Sequence, residues 1–279
     1  MNFVDTHCHI QSAGLAGGEP GTWEVWRKRP DLTGDRLVQN AVAVSVSKMI
    51  CVGCDLADSR LAINFAQNHQ NCYASIGIHP HEASKHLSKK AKSQFTQLLG
   101  DGSQIDNKIV AIGECGLDYF YNYSPGPAQI ELLKFQIELA LEVNLPMIFH
   151  VRDAFDDFWP VFESYSGIRG VLHSFTDSKQ NLERALRHNL FIGVNGIATF
   201  AKDPAQLAVY KSIPIKKILL ETDAPYLTPA PYRGKLNEPK LVRLVAEFLS
   251  ELRGEDIESL AVATSRNADV LFNVGVKGQ

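Results

Sequence analysis

The chain has 279 residues, 45% hydrophobic and 21% charged, a balance that excludes a disordered or fibrous protein. Its 28 basic and 31 acidic side chains leave a formal charge of −3, so any nucleic-acid contact has to come from a local basic patch. Five cysteines, an odd number in a chain this long, argue against a disulfide framework and for a reducing, cytoplasmic setting.

Taken in chain order, a short apolar run recurs, followed by a polar turn and a longer amphipathic segment. The first run, Phe3–Thr6, leads directly into His7 and His9, and Asp5 lies where a secretory signal needs a basic and then an apolar segment. A loop from Gln11 to Asp35 follows. The second run, Lys48–Val52, lies in the longest apolar-looking stretch, Ala41 to Cys54, which Ser45, Ser47 and Lys48 interrupt and which is too short to span a bilayer. Tyr73–Ile78, Ile109–Gly113, Met147–His150, Val171–His173, Phe191–Val194 and Ile218–Leu220 complete the set. Continuously apolar runs are expected of strands buried on both faces.

Helical stripes lie between them. Ile130, Leu133, Ile137, Ala140 and Leu141 form one, and Leu182, Ala185 and Leu186 another after a cap at Asp177 or Ser178. Leu241, Leu244, Val245, Phe248 and Leu252 form the stripe of the last long helix. Eight strands alternating with helices predict a closed parallel (β/α)8 barrel, the TIM barrel, as a single domain over residues 1–279.

The ionisable residues cluster by position. His7 and His9 follow the first run, and His79 and His81 the third. Glu114, His150 and His173 end the fourth, fifth and sixth, and Asp223 follows the eighth. In such a barrel all carboxyl ends of the strands meet on the face that builds the active site. A lone histidine at a strand end is usually a satisfied polar residue, and a lone carboxylate a helix cap. So many together point to a metal site. In His7-x-His9, residues i and i+2 of an extended strand share a side, so two imidazoles can grip one ion. Four histidines, a glutamate and an aspartate are too many for one open tetrahedral ion and suit two ions with a shared carboxylate. No dinucleotide fingerprint, P-loop or serine nucleophile elbow is present. Cys51-x-x-Cys54 has the spacing of a zinc or redox pair but no second pair, and reads as core packing, as do Cys8, Cys72 and Cys115.

Six blocks carry a resemblance. Asp5-Thr6-His7-Cys8-His9, Gly77-Ile78-His79-Pro80-His81, the stretch Ile112 to Tyr119, Phe149-His150-Val151-Arg152-Asp153-Ala154, Leu172-His173-Ser174-Phe175-Thr176 and the stretch Glu221 to Leu227 resemble the TatD family of metal-dependent deoxyribonucleases. The resemblance implies an amidohydrolase-type TIM barrel hydrolysing phosphodiester bonds, commonly as a 3′→5′ exonuclease on DNA. It makes His7, His9, Glu114, His150, His173 and Asp223 the metal ligands, with Glu114 bridging, and puts His79 near the substrate phosphate. Two departures stand out. Leu236 replaces an expected arginine in Arg233-Gly234-Lys235-Leu236-Asn237-Glu238-Pro239, and the loop from Gln11 to Asp35 is longer than usual.

The expected mechanism uses two divalent ions (Mg2+, Mn2+ or Zn2+) and an activated water, with Asp223 as general base and Glu114 joining both ions. Imidazole-rich ligands favour borderline metals, whereas the resemblance points to Mg2+. Single-stranded DNA ends are the expected substrate, and no membrane or obligate protein partner is implied. Arg152, Arg233 and Lys235 are expected phosphate contacts. Trp23 and Trp26, beside the basic Arg27-Lys28-Arg29, are read either as a base-stacking lid or as packing on the barrel rim. Two rival readings remain: another amidohydrolase-type enzyme cleaving a small ester, amide or phosphotriester, and a metal-stabilised binding protein without turnover.

Overall fold

The computed structural model describes residues 1–16, 21–100 and 105–275; part of the long first loop, residues 17–20, lies outside them. Eight strands form one sheet in sequential order: β1 (Phe3–Cys8), β2 (Val46–Val52), β3 (Cys72–Ile76), β4 (Ile109–Asp118), β5 (Met147–Arg152), β6 (Gly170–Leu172), β7 (Phe191–Val194) and β8 (Ile218–Leu220). Helices alternate with them, which is the (β/α)8 barrel arrangement expected from the sequence. All six residues of β1 and all ten of β4 are buried, as strands covered on both faces must be.

The chain divides into two compact units, one of Met1–Cys51 with Ser174–Gln279 and one of Val52–His173. In the discontinuous unit β1 and β2 pair in parallel as far as Cys8 opposite Cys51, and β7 pairs with β8 from Ile192–Ile218 to Val194–Leu220. The first and last strands meet here. Thr6 Oγ1 donates to the Leu220 carbonyl at 3.0 Å, Asp223 N to His7 O at 2.8 Å, and His9 N to Ala224 O at 2.7 Å. Phe3, Leu37, Met49, Ile218, Val245 and Leu260 are among its fully buried side chains.

In the contiguous unit β3, β4, β5 and β6 pair in parallel. Phe149 packs against Phe158 and Phe162, with ring centroids at 5.3 and 5.7 Å. β4 runs five residues beyond its expected end because pairing with β5 resumes after a register shift, from Cys115–Phe149 to Asp118–Arg152. Glu114 therefore sits within a strand and not at its end. β3 stops at Ile76, two residues earlier than expected, because Ile78 N donates to a helix side chain, Gln136 Oε1, at 2.8 Å.

The helical stripes are shifted from the apolar count. On the helix Gly126–Glu142 the buried face includes Gln129, Leu132, Leu133, Gln136, Ile137 and Ala140, while Ile130 and Leu141 are half-buried. Two buried glutamines on an apolar face look like solvent positions to a hydrophobicity pattern. Ser178 is the cap of the helix Lys179–Arg187, its hydroxyl accepting from Asn181 N. The last long helix is Ile257–Phe272, not the preceding Val242–Arg253, whose buried residues are Val242, Val245, Ala246 and Leu249. No helix among the described residues is long and apolar enough to cross a membrane.

Candidate functional site

Each unit carries its own cluster of ligand-type side chains. In the discontinuous unit, alternation along the buried strand β1 puts Asp5 and His7 on the same side, and His9 follows immediately. His7 Nε2 and His9 Nε2 lie 3.2 Å apart. Asp223 Oδ1 is 3.2 Å from His9 Nε2 and 3.6 Å from His7 Nε2. A divalent ion with bonds of about 2.0–2.2 Å holds its ligand atoms roughly 3.0–3.5 Å apart. Two imidazole nitrogens and a carboxylate oxygen converging at these separations fit one ion. Asp223 reaches the cluster from a backbone with φ +60°, a conformation a non-glycine residue adopts only where surrounding contacts impose it.

Buried carboxylates brace the backbone around this cluster. Asp5 accepts from Thr222 N at 2.9 Å, Thr222 Oγ1 at 2.6 Å and His7 N at 3.3 Å. Burial pushes its carboxyl up to about 8 in spite of these bonds. Glu221 accepts from Ser174 N at 3.0 Å and packs on Gly193, where a Cβ would collide with the carboxylate. Asn237 Nδ2 donates to Thr222 O and Tyr226 O at 2.8 and 2.6 Å, so it ties down the loop after β8.

In the contiguous unit the centre is Glu114. Its Oε1 lies 2.8 Å from His150 Nδ1, 3.7 Å from His79 Nε2 and 3.8 Å from His173 Nε2. Cys54 Sγ donates to its Oε2 at 3.9 Å. His79, Glu114 and His150 offer ligand atoms within 4.8 Å of one another, so His79 stands beside the candidate ligands themselves. Burial, reinforced by His150, holds the His79 imidazole well below its ordinary value, which leaves it neutral with a lone pair to offer. This donor set also fits a divalent ion.

Behind His150 stands Asp118. Its Oδ2 accepts from His150 Nε2 at 2.9 Å and His81 Nε2 at 3.1 Å. Burial opposes its ionisation, yet these bonds hold the carboxyl well below the usual carboxylate range. Burial likewise opposes charge on His150, but hydrogen bonds to Asp118 and Glu114 outweigh it and push the imidazole up to about 9. A carboxylate on the far nitrogen of a ligating histidine fixes the ring and its tautomer. Glu114, Gly116 and Asp118 are alternate residues of β4. Gly116, at φ +150°, lies so close to His150 that a Cβ would strike its carbonyl. Two glutamines clip the ends of these strands to the helix Gly126–Glu142. Gln129 bonds both Asp118 N and O at 2.7 and 3.0 Å, and Gln136 both Ile78 N and O at 2.8 and 3.0 Å.

All six expected ligands thus fall into two clusters, His7, His9 and Asp223 in one and Glu114, His150 and His173 in the other. Asp118, Gln129 and Gln136 gave no separate signal in the sequence, although alternation from Glu114 points to Asp118. Cys54 departs from the core role expected of it: it is half-buried and borders Glu114, whereas Cys51 is buried.

The expected substrate contacts are placed less uniformly. Arg152 ends β5, with its guanidinium 3.9 Å from the Phe120 ring centroid and 4.9 Å from that of Tyr121. Arg233 and Lys235 are exposed, lying over Phe200 at 4.7 Å and Tyr232 at 5.3 Å. Trp26 is 1% exposed and donates its indole N–H to His9 O at 2.8 Å. It braces the ligand strand from the core and does not present a face to a base. Trp23 is half-buried, with its indole N–H on Leu15 O at 3.1 Å and Arg27 over its ring.

The family model described as "TatD related DNase" matches residues 4–273. The chain is 34% identical over 274 residues to a Bacillus subtilis protein described as an uncharacterized metal-dependent hydrolase, YabD, covering 98% of this chain and 99% of that one. It is 32% identical over 250 residues to the "3'-5' ssDNA/RNA exonuclease TatD" of Citrobacter rodentium, covering 87% and 93%. Among solved structures, the Escherichia coli K12 TatD homolog YJJV superposes with a TM-score of 0.83 at 30% identity, covering 98% of each chain.

Proposed function

Because the chain belongs to the TatD-related DNase family of metal-dependent hydrolases, we propose that it is a 3′→5′ exonuclease removing nucleotides from single-stranded DNA ends. Residues 1–279 act as one catalytic domain, in the reducing cytoplasm that five free cysteines suit. The observation that carries the proposal is the ring of three imidazoles about Glu114 Oε1, at 2.8, 3.7 and 3.8 Å. A cluster of this composition serves a hydrolytic ion.

His7, His9 and Asp223 would hold one divalent ion, and Glu114, His150 and His173 would hold a second. When bound, the ions (Mg2+, Mn2+ or Zn2+) supply Lewis-acid charge at the phosphoryl oxygens and lower the pKa of water. The chain's own groups do the rest. The Asp223 carboxylate takes the proton of the attacking water. His79, kept neutral, donates or accepts at a phosphate oxygen beside Glu114. Asp118 holds the His150 ring in place, and Asp5 and Glu221 fix the backbone around His7 and Ser174. Arg233 and Lys235 contribute charge to the phosphates ahead of the scissile bond, and Trp23 covers the strand from the first loop.

The deciding assay uses a 3′-end-labelled single strand with Mg2+, Mn2+ and Zn2+ supplied separately, beside a small chromogenic phosphodiester and a lactone. Stepwise release of nucleotides from the 3′ end is expected. Hydrolysis of the lactone or small ester alone would move the protein to the other amidohydrolase-type reading. Glu114→Ala should abolish turnover, and near-wild-type activity of that variant in metal-replete buffer would end the assignment.

A further inference from the structure

The loop after β4 carries an aromatic patch that the catalytic reading leaves unexplained. Phe120, Tyr121 and Tyr123 are 55%, 48% and 70% exposed. Their rings are contiguous: Phe120 meets Tyr121 edge-on at 4.9 Å, and Tyr121 stacks on Tyr123 at 5.5 Å with 23° between planes. His81 touches both tyrosines, at 5.5 and 4.7 Å between centroids. Single exposed apolar residues are ordinary on a protein surface, but three large rings in contact and rimmed by polar groups mark a binding surface.

The patch is flanked by a cation and connected to the candidate metal ligands. Arg152 lies across Phe120 and Tyr121, near enough for cation–π attraction to fix the rings and itself. Tyr121 N donates to Asp118 Oδ1 at 2.9 Å, while Asp118 Oδ2 holds both His81 and His150. A single carboxylate therefore positions the aromatic loop and a ligand imidazole together. Exposed flat faces, one cation and a fixed relation to the hydrolytic cluster are what an unpaired nucleobase next to a scissile phosphodiester requires. Every base has a π-face, so such stacking tolerates any sequence.

We propose that Phe120, Tyr121 and Tyr123, with Arg152 across them, form the stacking platform for the unpaired bases of a single-stranded substrate. Arg152 stiffens this platform and adds its charge to it, and is not a free-standing phosphate ligand. The inference rests on the exonuclease reading above and assigns to the β4 loop the base-stacking role that the sequence suggested for Trp23 and Trp26 of the first loop, of which Trp26 is buried.

The test compares wild type with Tyr121→Ala/Tyr123→Ala and Tyr121→Phe/Tyr123→Phe double variants, all metal-loaded. Binding of a fluorescein-labelled, phosphorothioate-ended single strand is read by anisotropy, with an abasic-ended strand as control. Turnover is read on the oligonucleotide and on a small chromogenic phosphodiester. The alanine variant should bind the natural end at least roughly 5-fold more weakly, the loss of one stacked base. Its oligonucleotide turnover should fall by that factor relative to the small ester, and the phenylalanine variant should regain both. The abasic strand should not distinguish the proteins. An alanine variant that binds like wild type, or loses equally on the abasic strand, overturns the platform alone. So does a drop in its sedimentation mass with binding unchanged, since the rings would then cover a second copy of the chain. Wild-type protein that hydrolyses the small ester but neither binds nor cleaves the oligonucleotide overturns the exonuclease reading and the platform with it.

Discussion

Asp118 makes the sharpest demand of any single side chain. It touches no expected substrate atom, yet its two oxygens hold His150, His81 and the Tyr121 amide. Asp118→Asn keeps the shape and removes the charge, so His150 loses the partner that fixes its tautomer. Loss of such a partner typically costs about 10–100-fold in metal affinity or activity. Titration calorimetry with Mn2+ should show that loss for Asp118→Asn, with urea unfolding of the metal-free protein nearly unchanged. An unaltered Mn2+ affinity would reduce Asp118 to a loop brace. The six candidate ligands stood out in the sequence because each is a histidine or acid at or just after an apolar run. Asp118 was hidden because β4 extends past its apolar core, so the last residue of the strand reads like the first turn after one.

Elements hold their registers here through side chains as well as ladders. Gln136 closes a two-bond ring with the Ile78 amide and carbonyl, and Gln129 a matching one with Asp118. Both glutamines are fully buried, so truncation strands polar groups away from water. Gln136→Ala should lower unfolding stability by at least about 2 kcal/mol, since two buried backbone groups lose partners worth roughly 1–3 kcal/mol each. It should also weaken the retention of His79, the residue after Ile78, seen as a higher KM on oligonucleotides. Equilibrium urea denaturation decides the first point, and a loss under about 0.5 kcal/mol, the range of neutral surface changes, would refute it. All eight strands were recognisable from their apolar runs, because burial on both faces leaves little room for polar residues. Helix faces were less so. A pattern that counts apolar side chains puts Ile130 and Leu141 on the buried stripe, and cannot see that Gln129 and Gln136 are buried to satisfy a neighbouring strand.

For the whole molecule, the two ligand clusters differ in how the chain supplies them. His7, His9 and Asp223 belong to the discontinuous unit, and Glu114, His150 and His173 to the contiguous one. With one ion assigned to each set, His7→Ala should lower bound metal from two equivalents to one while a single ion stays with the Glu114 cluster. Metal analysis after gel filtration measures this, and loss of both equivalents, or of neither, would break the assignment. The barrel could be read from the order of the runs, and a candidate metal site from the histidines and acids at their ends. The division into units could not, because it depends on packing density and leaves no trace in periodicity. That division also sets a timetable for synthesis. Val52–His173 leaves the ribosome as an unbroken stretch, whereas β1 waits for a strand more than two hundred residues away: the Thr6–Leu220 hydrogen bond spans 214 positions. His7 and His9 are made more than two hundred residues before Asp223, whose amide donates to His7 O. A nascent chain therefore carries the imidazole pair without its carboxylate until Asp223 emerges, and an ion that needs all three has to wait for it.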